Sequence, residues 1–88
     1  MKTRPSCLEC VTKHLGAAWV LIKEHYDGYD HKMMAIGHLH EAEDESQEWP
    51  ELNAFIRQSR KMYFQTNECP KFEVMAMMIE GILNASHS

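Results

Sequence analysis

The stretch Leu8-Glu9-Cys10-Val11-Thr12-Lys13-His14-Leu15-Gly16-Ala17-Ala18-Trp19-Val20-Leu21-Ile22-Lys23 decides the fold class. Leu8, Val11, Leu15, Ala18, Ile22 and His25 recur at alternating three- and four-residue spacing, the stripe of an amphipathic helix. The spacing predicts a first helix from about Cys7 to Asp27. Ser6 and Glu9 have capping-box spacing at its start. Gly28 suits its stop, because glycine enters the left-handed conformation at little cost.

Downstream, Asp30 is placed to cap a second helix, from about His31 to Trp49, with a thin stripe of Ala35, Leu39, Ala42 and Trp49. Pro50 fits the first turn of a third helix, running to about Asn67. Its expected buried face is Leu52, Phe55, Ile56, Met62 and Tyr63, with Arg57, Arg60 and Lys61 mostly off it. Asn67-Glu68-Cys69-Pro70 is the next break, since the residue before proline avoids helical geometry. A fourth helix, about 70–84, carries Phe72, Met75, Ile79 and Ile82, flanked by Val74, Met78 and Leu83. Valine, isoleucine and threonine never alternate as in a strand. The expectation is one domain over residues 1–88, an all-α, compact four-helix bundle with short connections, antiparallel and up-and-down.

A chain of 88 residues buries a modest core, and a metal or self-association often adds to it. The formal charge is −4, and five acids (Glu41, Glu43, Asp44, Glu45 and Glu48) crowd one stretch of the second helix. The bases are scattered apart from Arg57, Arg60 and Lys61, which argues against a nucleic-acid footprint. The opening Met1-Lys2-Thr3-Arg4-Pro5 is polar and does not read as a secretory leader. No run approaches the roughly 18 apolar residues of a membrane span. Three cysteines are an odd set for a disulfide scaffold. These features together predict a cytoplasmic protein, in whose reducing interior Cys-x-x-Cys binds metal or does redox work.

The chemistry concentrates in Cys7-x-x-Cys10-x-x-x-His14. Thiolate and imidazole are zinc ligands, commonly four in a tetrahedron. Cys10 and His14, four apart, share a helix face. Cys7 joins them only from the turn before the helix, in conflict with Ser6 as the cap. In an antiparallel hairpin of the first two helices, His14 faces Glu45, with Glu41 a turn away and His38 further along. Glu45 and then His38 are therefore the expected completing or orienting groups. Cys69 falls at the opposite end. A buried, inert pair of cysteines is the plain alternative.

Other features carry weaker signals. His38, Glu41 and Glu45 share a helix face, but the order is His-x-x-Glu on one helix only, short of a dinuclear carboxylate site. His40 points away, and the acids around it read as a solvated face or as docking charges. Gly16, Gly37 and Gly81 within helices suggest close helix approach. Seven methionines and the run Val74-Met75-Ala76-Met77-Met78-Ile79 leave the fourth helix apolar on more than one side, which predicts a homo-oligomer through that helix. Tyr26, Tyr29, Arg57, Arg60 and Lys61 could line a pocket for a nucleotide or other small anion, although no glycine-rich phosphate loop is present.

The expected function is a small helical binding or regulatory module, stabilised by zinc and acting through oligomerisation and a partner. One rival is an oligomeric protein that sequesters a small anion without metal. The other is a Cys7/Cys10 thiol oxidoreductase. No set of base, nucleophile and oxyanion donors is laid out, which argues against a dedicated active site.

Overall fold

The computed structural model describes residues 6–24 and 29–86. These residues form four helices and no strand: α1 (Leu8–Lys23), α2 (Tyr29–Asp44), α3 (Pro50–Thr66) and α4 (Phe72–Ser86). They make an all-α four-helix bundle. Consecutive helices pack side by side and α4 returns against α1, with the closest packing between α1 and α2.

α1 and α2 run antiparallel, so that Cys7 lies beside Glu45 and His14 beside His38. α2 and α3 do the same. Lys32 Nζ donates to the Phe64 carbonyl and to Asn67 Oδ1, while Glu43 at the other end meets Asn53 and Arg57. The core draws on every helix: Val11, Leu15 and Ala18, then Leu39 and Ala42, then Leu52 and Ile56, then Met75 and Ile79. Burying a side chain of this kind contributes about 1.5–3 kcal/mol. No helix among the described residues is long and apolar enough to cross a membrane.

Several boundaries differ from the expected ones, each for a local reason. α1 ends at Lys23, and the Glu24 N–H closes it on the Val20 carbonyl. His25, Tyr26, Asp27 and Gly28 lie outside the described residues, and with them the expected glycine stop. The α1 cap is Cys7 rather than Ser6. Cys7 is extended (φ −147°, ψ 105°) and its Sγ accepts the Cys10 N–H. Ser6 Oγ instead accepts the Glu48 N–H, across the hairpin. Asp30 sits inside the first turn of α2 rather than before it, where its charge still opposes the positive helix end.

α2 stops at Asp44, short of the expected Trp49. The Glu43 carbonyl is captured by the Ser46 N–H, by Ser46 Oγ and by Asn53 Nδ2, which turns the chain toward α3. Trp49 then becomes the residue before α3, with Pro50 in its first turn. At the far end of α3, Asn67 is left-handed (φ 62°) and its N–H closes on the Tyr63 carbonyl. Met62, expected on the buried face, is exposed. A Cβ built on Gly16, Gly37 or Gly81 meets no atom within 4 Å, so these glycines do not mark close helix approach.

Candidate metal centre

The fold gathers the residues singled out in α1 and α2 at one end of their hairpin. Cys7 donates its backbone N–H to the Glu45 carbonyl at 3.0 Å. With the Ser6–Glu48 bond, this ties the entry of α1 to the exit of α2. Cys10 lies in the first turn of α1, and His14 one turn further on the same side. Cys7 and Cys10 are joined as a disulfide, with Cα atoms 5.2 Å apart.

His14 stands between two groups of α2. Its Nδ1 lies 3.3 Å from His38 Nδ1, and its Nε2 lies 3.6 Å from Glu45 Oε1. The imidazole rings are tilted by 33° with centroids 5.5 Å apart. His14 therefore reaches both candidate partners, although simple hairpin register gave it only Glu45. The reason is geometric: an imidazole carries two ring nitrogens on different edges, and each meets a different turn of α2. A neutral imidazole has one donor nitrogen and one acceptor. If His14 donates from Nδ1 to His38, its Nε2 presents a lone pair toward the Glu45 carboxylate.

Glu45 is only 6% exposed, unlike the solvated acid expected there. The turn that seats it is held by Ser46, which is wholly buried, and by Asn53. Neither residue was flagged by the sequence. Trp49-Pro50 signals only that Trp49 itself leaves the helix, and the earlier stop at Asp44 is set by Ser46 and Asn53.

The other candidates fall elsewhere. His40 is exposed, 3.7 Å from Asp44 on its own helix. Cys69 is free and exposed beyond the end of α3, with Sγ 3.5 Å from the Pro70 carbonyl. Arg57 and Arg60 both donate to the Glu43 carboxylate, at 3.2 and 3.0 Å, while Lys61 is exposed. Tyr26 and the side chain of Tyr29 lie outside the described residues. A separate apolar groove of about 310 Å³ runs between α1 and α4, lined by Leu15, Gly16, Trp19, Phe72 and Ala76 among others.

Among the described residues, no group of three or more histidine, cysteine or acidic side chains is arranged to hold a metal ion. Opening the Cys7–Cys10 bond would supply two thiols on the turn whose backbone is tied to Glu45, and thiolate, imidazole and carboxylate are donor types of zinc sites. No family model, curated protein or solved structure matches this chain.

Proposed function

We propose that this protein is a small helical binding module whose reduced form carries a zinc ion at the open end of the α1–α2 hairpin. Cys7 and Cys10 supply thiolates, His14 supplies Nε2 and Glu45 a carboxylate oxygen. His38 accepts the His14 Nδ1–H, which fixes the tautomer and aims Nε2 at the ion. The observation that carries this reading is the separation of His14 Nε2 and Glu45 Oε1, 3.6 Å. That gap is too long for a hydrogen bond. It matches two ligand atoms on one tetrahedral zinc, which at bond lengths of about 2.0–2.2 Å lie roughly 3.3–3.6 Å apart. The Cys7 amide bond to Glu45 keeps the thiol turn beside that pair.

The module acts through self-association. The support is apolar surface on α1 and α4: Trp19 is 44% exposed and Met77 69% exposed, with Val20 and Val74 also exposed. Trp19 borders the α1–α4 groove.

Elemental analysis of reduced, untagged protein tests the zinc reading. The expected result is near-stoichiometric zinc, absent from Cys10→Ser. His38→Ala should keep the site but weaken affinity by about 10–100-fold, as loss of an orienting partner does. Reduced protein that folds fully and takes up no zinc on titration would sink the reading.

A further inference from the structure

We infer that Cys7 and Cys10 form a thiol–disulfide exchange site, which passes two electrons between this chain and small thiols. The site needs no metal, so the inference stands or falls separately from the zinc reading. The two sulfurs are joined in the structure, with Cα atoms 5.2 Å apart, within the span a disulfide bridges.

A bond in this place does little as a staple. It links residues three positions apart, and a disulfide constrains the unfolded chain least when its loop is short. Other bonds already hold the turn. The Val11 N–H closes on the Cys7 carbonyl at 2.9 Å, and the Cys7 N–H on the Glu45 carbonyl at 3.0 Å. Ser6 Oγ accepts the Glu48 N–H. None of these bonds uses a sulfur, so the cap keeps them whether the disulfide is open or closed. Opening the bond therefore leaves the two sulfurs placed to rejoin. Access also favours exchange. Cys7 and Cys10 are half-buried, so a small thiol or disulfide reaches them from solvent.

The two sulfurs are not equivalent. Cys7 is extended, just ahead of α1, and its Sγ accepts the Cys10 N–H at 3.1 Å, while Cys10 lies inside the first turn. A backbone N–H at a helix start stabilises negative charge on the sulfur it meets. Cys7 is therefore the sulfur that attacks an external disulfide, and Cys10 the one that resolves. In the closing direction the Cys7 thiolate attacks RSSR, the reagent's S–S bond breaks and RS⁻ leaves, which gives a mixed disulfide at Cys7. Cys10 passes its proton to solvent, attacks the Cys7 sulfur and expels the second RS⁻. The protein dithiol is oxidised by two electrons, and one RSSR is reduced to two thiols. Opening is the reverse, with two RSH as the electron source.

The test uses the full chain with Cys69→Ser, which removes the exposed free thiol, and keeps a metal chelator present throughout. Protein is equilibrated in mixtures of reduced and oxidised glutathione, quenched with acid and alkylated, and its thiols are counted by mass spectrometry. The expected result is one two-electron transition, the same from either direction, with the helical circular dichroism signal kept on both sides. Rejoining should be faster in the folded chain than in urea. With oxidised glutathione, Cys10→Ser should gather a mixed disulfide at Cys7 faster than Cys7→Ser does at Cys10. A bond that glutathione opens only after urea unfolds the chain would overturn the inference and mark a purely structural disulfide. So would reduced protein that rejoins no faster folded than unfolded. Equal rates in the two serine variants would overturn Cys7 as the attacking sulfur. With the chelator present, each of these failures leaves the zinc reading standing, and failure to take up zinc leaves the exchange site standing.

Discussion

Glu43 looks like one acid among five in the sequence, yet it organises the joint between α2 and α3. Its carboxylate receives Arg57 Nε at 3.2 Å and Arg60 Nε at 3.0 Å, and its carbonyl receives Asn53 Nδ2 and Ser46 Oγ. The Glu43 side chain is 14% exposed and Arg60 20%, whereas Arg57 is 43% exposed and its pair is correspondingly screened. Glu43→Ala should therefore cost about 1–2 kcal/mol, counting the charge-assisted bonds at the low end of their range. Arg60→Ala should cost more than Arg57→Ala, as read from urea midpoints. Tyr63 adds a pH effect. Burial first, and then the nearby Cys69 charge, raise its pKa above the usual tyrosine value. The neutral phenol is thus favoured in the native state. Its stabilisation is intact below about pH 10 and is lost as pH rises through the higher folded value. Tyr63→Phe should flatten that alkaline fall in melting temperature. An unchanged alkaline limb would count against it.

At the scale of the helix, the periodic signal was strong where apolar residues repeat and weak where side chains cap. The stripe of α1 gave Val11, Leu15 and Ala18 correctly, and all three are buried. The stripe of α2 gave Ala35, Leu39 and Ala42 but missed Ile36, also buried. The end of α2 was misplaced because Ser46 and Asn53, which capture its carbonyls, come from the turn and from the next helix. No window of sequence shows that pairing. The pairing of His14 with Glu45 was legible from hairpin register. Contact between His14 and His38 was not, because it depends on which edge of the ring meets which turn. Helix glycines give the clearest prediction at this scale. Gly37 and Gly81 have open space where a Cβ would go. Alanine at either position should stabilise by about 0.5–1 kcal/mol, through a less disordered unfolded chain and better helix propensity. A loss of stability in Gly37→Ala would mean that something unseen packs against that face.

Across the whole molecule, the helices are not equally anchored. The body is flattened, 44 × 32 × 19 Å, and α4 touches α1 and α3 much less than α1 touches α2. Met75 and Ile79 anchor α4 in the core, while Val74, Met77 and Leu83 remain exposed. Local opening should therefore begin there. Amide exchange at low protein concentration should be faster in α4 than in α1 or α2. If copies associate through α4, its protection should rise with protein concentration while that of α2 stays level. Concentration-independent exchange would argue for a monomer.

The bond from the Cys7 amide to the Glu45 carbonyl has a topological meaning. It joins residues separated by two whole helices, at the end of the hairpin away from its turn. A zinc shared by Cys7 and Glu45 would make a closed ring of roughly forty residues, and removing that freedom from the unfolded chain is worth about 4 kcal/mol on loop-entropy grounds. The Cys7–Cys10 disulfide, three positions apart, closes a ring of one helical turn, worth roughly half as much by the same rule. The two closures would tether different parts of the chain: an entire antiparallel pair for a shared metal, a single cap for the disulfide.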